Sequence, residues 1–400
     1  MVPFRSSDLR SLPCRVFASA GLCLLVFAGQ LPAQETTPPG HELPAFHEYE
    51  PPSTLVVPET GVPKAKYPFV DVHSHQWSMP EQDLLELTAA MDALGMEVMV
   101  NLSGRGFRRA QNPDGSFRLA YRERGWLKRA IDNARENAPG RFLVFTNLDV
   151  TGIDEPGWRE RTLRLLQEDA AAGAAGLKIY KGLGLDRVDG SGRRIPVDDP
   201  RLDPVWAACG ELGLVVLIHT AEPAAFWLPK DGSNERLLEM IEKPERWRGE
   251  PGAYPSWESL IAEQHRVFAR HPETTFVNAH FGWMANDLGR LGELLRRLPN
   301  VYVEFGAVIA ELGRQPRFAR RWLIEHQDRV LFGKDSWNPS EYPLYFQVLE
   351  TDDDYIRYFR RRHAFWRLYG LALPDEVLRK IYYANALRLF PQLDRSRFPK

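Results

Sequence analysis

Ten histidines are spread over this 400-residue sequence, and four of them close apolar runs. His73 and His75 flank Ser74 just after Phe69-Val70-Asp71-Val72. His219 follows residues 214–218, and His280 follows residues 275–279. A carboxylate joins them, because Asp335 lies just past Val330-Leu331-Phe332. Two imidazoles at i and i+2 can chelate one cation if both point the same way. Neutral imidazoles with one carboxylate suit a divalent ion, zinc first, with manganese or iron as alternatives. The other six histidines (His41, His47, His265, His271, His326 and His363) terminate no apolar run.

These five residues can meet only if the chain brings the ends of distant strands together. Short apolar runs alternate with helix-like segments from Tyr67 onward. The runs are 69–72, 97–100, 142–148, 176–180, 214–218, 275–279, 301–305 and 330–332. Eight strands alternating with helices predict an α/β fold, a (β/α)8 TIM barrel. An open doubly wound sheet is the structural rival, weakened because no GxGxxG turn follows the first strand. Side chains alternate along a strand. That places Asp71, His73 and His75 on one face with Phe69, and Phe276 with Asn278 and His280. The polar residues fall at the C-terminal strand ends, where barrels of this kind keep their active sites.

The series Val70-Asp71-Val72-His73-Ser74-His75, Ile218-His219-Thr220, Asn278-Ala279-His280 and Phe332-Gly333-Lys334-Asp335 resembles the amidohydrolase superfamily. The closing helix Lys380–Ala386 is similar to the end of its amidohydrolase-related branch, so the resemblance covers about residues 67–391. That branch includes aminocarboxymuconate-semialdehyde decarboxylase, resorcylate decarboxylases and pyrone-dicarboxylate lactonase. The resemblance implies a metal-dependent hydrolase or a non-oxidative decarboxylase. It implies that His73, His75, His219 and Asp335 bind one divalent metal, with His280 beside it. Chemistry agrees: such an ion brings the pKa of water to roughly 7, Asp335 can take its proton, and His280 can protonate a leaving group. His280 also has a reading as a ligand to a second metal. Lys178 stands where binuclear relatives carry a carboxylated bridging lysine, and its rival role is to bind a substrate carboxylate. Lys334 departs from the small or hydroxyl residue expected before the aspartate.

Asp71 shares the expected inward face and could orient a histidine from behind. Glu222, close to His219, reads equally as a substrate contact or a surface residue. Asn385 is expected to bond a nearby loop backbone. Two long loops flank the mouth. Ser103–Arg124, after strand two, carries Arg105, Arg108, Arg109, Arg118, Arg122 and Arg124. Ala221–Trp257, after strand five, carries Trp227, Trp247, Tyr254 and Trp257. The arginines could hold a substrate anion or face solvent. The tryptophans could floor an aromatic pocket or pack the insertion on itself.

Lys+Arg 51 against Asp+Glu 53 leaves a formal net charge of -2. No basic field exists for duplex nucleic acid, so the expected partner is a small molecule, carboxylated or aromatic. Cys14, Cys23 and Cys209 offer no disulfide framework, and Cys209 reads as a buried thiol on a helix face. Arg5, Arg10 and Arg15 precede an apolar run at 16–29, and Leu31-Pro32-Ala33 offers a cleavage site. Residues 1–33 therefore read as a signal peptide for periplasmic or extracellular export, with an uncleaved anchor as the alternative. No later segment reads as a transmembrane helix. Residues 34–66, rich in Pro, Glu and Thr, read as a linker or an arm, and 67–393 as the catalytic barrel. A serine hydrolase is disfavoured because GxSxG is absent. A glycosidase could pair Glu304 with Asp335, but the histidines would go unexplained. The expectation is an exported metal-dependent hydrolase of a C–N or C–O bond. A decarboxylase using the same site and a non-catalytic ligand-binding barrel are the alternatives.

Overall fold

The computed structural model describes residue 45 and residues 48–111, 117–123 and 125–399. The chain divides into two units, 1–51 and 52–400. The expected signal peptide lies outside the described residues.

Eight parallel strands build the second unit. They are β1 (Phe69–Ser74), β2 (Met96–Asn101), β3 (Phe142–Asn147), β4 (Gly176–Ile179), β5 (Val215–Ile218), β6 (Phe276–Asn278), β7 (Val301–Glu304) and β8 (Val330–Leu331). They pair in chain order. Val72 N–H donates to Phe332 O at 2.9 Å and Asp335 N–H to His73 O at 2.6 Å, which joins the last strand to the first. The result is a TIM barrel. Its helices include α1 (Leu84–Leu94), α2 (Gly125–Asn137), α3 (Trp158–Ala172), α4 (Asp203–Glu211), α5 (Trp257–Arg270), α6 (Leu288–Arg297), α7 (Pro316–Glu325) and α8 (Tyr342–Glu350). Asp83 caps α1 by accepting the amides of Leu85 and Glu86, and Gly95 ends it in the left-handed region at φ 81°. The strands are almost wholly buried, which explains their continuous apolar sequence. Cys209 is a buried free thiol on α4.

Strict strand alternation failed at two places. Phe69 does not share the face of His73. Its ring packs on Phe332, on Tyr342 and Phe346 of α8, and on Tyr382 of the closing helix. The β1–β2 register slips between Phe69 and Val70 and again between Asp71 and Ser74. The first extra residue lies in β2 and the second in β1, so Phe69 and Asp71 both meet the helix layer while His73 enters the barrel. Phe276 likewise packs on Phe268 of α5. His280 lies beyond the last residue of β6 and is aimed by a turn instead.

The loop after β2 forms a hairpin of Phe107–Gln111 with Phe117–Tyr121. The loop after β5 packs on itself. Trp227 donates to Pro255 O, Trp247 to Leu228 O and Trp257 to Glu222 O. Residues 52–66 run as an arm without regular structure, held where Thr60 donates its amide and hydroxyl to Asp353. The closing helix includes a π-turn at Lys380–Ala384. Asn385 donates from Nδ2 to Gln327 O and Val330 O, a loop-backbone contact as expected.

Candidate metal centre

His73, His75 and Asp335 converge at the C-terminal mouth. Asp335 Oδ1 lies 3.3 Å from His73 Nε2 and 3.4 Å from His75 Nε2. The ligand atoms of all three lie within 4.8 Å of one another. His73 is fully enclosed, whereas the Asp335 side chain is 33% exposed, so the group is open on the Asp335 side. Asp335 sits at φ 84°, a left-handed value rare for a non-glycine residue.

The partners behind each imidazole fix which nitrogen carries hydrogen. His73 Nδ1 lies 2.9 Å from Glu304 Oε1, and an ionised carboxylate only accepts. His280 Nδ1 lies 2.7 Å from Gly306 O, again an acceptor. His75 Nδ1 lies 2.6 Å from Ser103 Oγ, which lies 3.0 Å from the Tyr180 hydroxyl, which donates to Leu102 O. With the tyrosine hydrogen on that carbonyl, serine donates to tyrosine and His75 Nδ1–H donates to serine. In their neutral forms His73, His75 and His280 therefore carry hydrogen on Nδ1 and keep Nε2 for a cation; without a cation, a proton on Nε2 bridges His73 to Asp335. A hydrogen-bonded partner behind a ligating imidazole is the usual arrangement at metal sites.

Electrostatics agree. Burial and Lys178 both oppose charge on His73, yet Glu304 and Asp335 outweigh them and raise its pKa above that of an ordinary imidazole. Two carboxylates thus favour positive charge at that ring. Burial drives His75 and His280 down to about 4, and His219 well below its usual value. Those rings are neutral, as ligands must be. Burial would raise Asp335, but His73 and His75 hold it well below the usual carboxylate range. The donor set therefore fits a divalent cation.

His219 stands apart from this convergent group. Its Nδ1 lies 3.1 Å from His280 Nε2, and its Nε2 is buried without a hydrogen-bond partner, 3.9 Å from Glu222 Oε2. With Nε2 of His280 an acceptor, His219 donates from Nδ1 and keeps its own lone pair on Nε2. Glu222 is buried and paired with Lys181.

His280 is held by an unusual backbone. His280, Phe281, Gly282 and Trp283 have φ of 58°, 53°, 59° and 54°, one left-handed turn. Each non-glycine residue there costs roughly 1–2 kcal/mol. The turn carries the Trp283 ring onto the His280 imidazole, with centroids 4.5 Å apart.

Lys178 enters the barrel from β4, with Nζ 3.5 Å from His73 Nε2, and burial lowers its pKa to about 8. Asp71 does not orient a ring. Its carboxylate accepts the His73 amide at 2.9 Å, the Lys334 amide and the Tyr342 hydroxyl, so it anchors backbone. Lys334 points away from the centre, to Glu341 and Ser336 O. Arg105 is buried against Asn147 O, with its guanidinium 5.4 Å above the Tyr121 ring.

Reading the sequence missed Glu304 as a partner of the histidines, and missed Ser103, Trp77 and Trp283. Glu304 closes an apolar strand as the histidines do, and that rule would have found it. Trp77 lies parallel to His75, 8° apart with centroids at 5.1 Å. Tyr180 and Phe107 complete an aromatic wall beside it.

Solved structures share this fold at low identity. An uncharacterised TIM-barrel protein from Bordetella bronchiseptica is 17% identical, with TM-score 0.48 over 81% of this chain and 99% of that one. A 2,6-dihydroxybenzoate decarboxylase from Rhizobium is 17% identical, with TM-score 0.45 over 82% and 99%. A dihydroxybenzoic acid decarboxylase from Polaromonas, solved with manganese and 2-nitroresorcinol, is 15% identical, with TM-score 0.48 over 83% and 99%. No curated protein matches in sequence. The amidohydrolase family model matches residues 70–392, from the first barrel strand through the closing helix, and the chain belongs to that family.

Proposed function

We propose that the protein is a metal-dependent hydrolase that cleaves a C–N or C–O bond of a small molecule, with zinc as its ion. One observation carries this reading: His73 and His75 bring their Nε2 atoms together at Asp335 Oδ1, each with a hydrogen-bond partner behind its Nδ1. His73, His75 and Asp335 would hold the cation. His219 is the fourth residue assigned to it, on the strength of its buried, unpartnered Nε2. A bound divalent ion supplies Lewis acidity that polarises water and the scissile group. Asp335, open to the mouth, orients the attacking water and receives its proton. His280 takes and returns a proton at Nε2 alone, because its Nδ1–H is committed to Gly306. Lys178 binds an anionic oxygen of the substrate. Residues 1–33 support export of the mature chain.

The aromatic wall of Trp77, Phe107 and Tyr180, with Lys178 near it, favours a second reading. A planar aryl carboxylate would stack there, and the same residues would serve its decarboxylation.

The test is elemental mass spectrometry of the purified protein, with the His73→Ala His75→Ala double variant as control. The same preparations are assayed for hydrolysis of amides, esters and lactones and for CO2 release from hydroxybenzoates. About one ion per chain, lost in the control, with metal-dependent hydrolysis, is the expected result. CO2 release without hydrolysis selects the second reading. No ion after incubation with zinc or manganese overturns both.

A further inference from the structure

We propose that Glu304 is the positioning residue that assembles the centre, fixing the His73 tautomer and the His280 backbone through one carboxylate. The inference deepens the metal-dependent reading and rests on it only in part. Glu304 is completely buried at the end of β7. Its Oε1 accepts the His280 amide at 2.7 Å and faces His73 Nδ1 at 2.9 Å. Its Oε2 accepts the Gly306 amide at 2.6 Å. Gly306 in turn offers its carbonyl to His280 Nδ1 at 2.7 Å. One side chain therefore ties β1, the left-handed turn after β6 and the loop after β7.

Each bond has a separate consequence. The contact to His73 keeps hydrogen on Nδ1 and leaves Nε2 for a cation. The bond to the His280 amide holds a residue whose φ of 58° is unfavourable without such a tether. The bond to Gly306 places the carbonyl that fixes the His280 tautomer. The surrounding chain is shaped to admit this carboxylate. A Cβ on Gly306 would stand 2.9 Å from Glu304 Oε2, and a Cβ on Gly333 would overlap the same oxygen. A carboxylate is required because all three groups facing it are donors. In Glu304→Gln, an amide NH2 faces either the His73 and His280 donors together or the Gly306 amide.

The experiment records long-range 1H–15N spectra of histidine-labelled, metal-free protein between pH 6 and 9. In the wild type, His73 and His280 should carry hydrogen on Nδ1 throughout. In Glu304→Gln, both should acquire a population without hydrogen on Nδ1, while His75, held by Ser103, stays unchanged. Zinc affinity of the variant, by chelator competition, should fall about 10–100-fold. A wild-type protein in which Nδ1 of His73 or His280 lacks hydrogen overturns the assignment without any variant, so a Glu304→Gln chain that fails to fold does not rescue it. Unchanged tautomers and zinc affinity in a folded Glu304→Gln also overturn it. If the wild type shows the expected tautomers but binds no zinc, the metal-dependent reading fails and the Glu304 assignment stands.

Discussion

The two sides of the barrel mouth are built differently. On the side of β6, β7, β8 and β1, polar groups meet in a closed set of hydrogen bonds around Glu304. The backbone there takes left-handed values at His280, Ala307 and Asp335. On the side of β2 to β4, strand β4 and the loops present rings and cations instead: Phe107, Tyr121, Tyr180, Arg105 and Lys178. The first side fixes where lone pairs and protons sit. The second offers flat apolar surface and positive charge to something that arrives from solution. Strain concentrates where atoms must be placed within tenths of an ångström, and packing suffices where a ring need only find a face.

The largest effect expected from this contrast is at Gly333. In Gly333→Ala the new methyl overlaps Glu304 Oε2 and stands 3.0 Å from His73 Cβ. That oxygen is pinned by the Gly306 amide and cannot move away freely. Stability should fall by about 1–3 kcal/mol, and zinc affinity by about 100-fold. Urea unfolding and chelator competition measure the two. Wild-type affinity in this variant would show that the Glu304 side tolerates displacement, which breaks the contrast.

Ser103→Ala is the next test, because Ser103 belongs to the β2 loop yet orients His75. Removing its hydroxyl frees the His75 tautomer and interrupts the relay to Tyr180. Zinc affinity should fall about 10-fold, with the fold intact by circular dichroism. An unchanged affinity would confine the fixing of tautomers to the other side of the mouth.

Trp77→Ala should have the smallest effect. Stacking of this kind contributes about 0.5–1.5 kcal/mol, which is roughly a 2- to 12-fold change. The expected result is a KM raised by that factor for aromatic substrates and little changed for aliphatic ones, with kcat and zinc affinity preserved. A lost metal would mean that Trp77 supports His75 rather than the substrate.

Much of this was legible in the residues. The alternation of apolar runs with helical segments set out eight strands, because each buried strand must be short, apolar and followed by its crossover. His73, His75 and Asp335 were legible as a group because strand ends on a barrel share one mouth. Asp71 was placed on the inward face because alternation assumes an unbroken register, and β1 carries an extra residue between Asp71 and Ser74. Glu304 was noted only as a carboxylate, since its partners lie 231 and 24 residues away in the chain.

The sequence by itself determined the barrel through periodicity, the chemistry of the donor set through residue type, and the family through the motif series at the strand ends. Only the tertiary structure decided which nitrogen of each imidazole faces the centre. That choice depends on the atom behind the ring: Glu304 for His73, Ser103 for His75 and the Gly306 carbonyl for His280. Each comes from a different strand or loop, and a hydrogen bond depends on tenths of an ångström that periodicity does not carry.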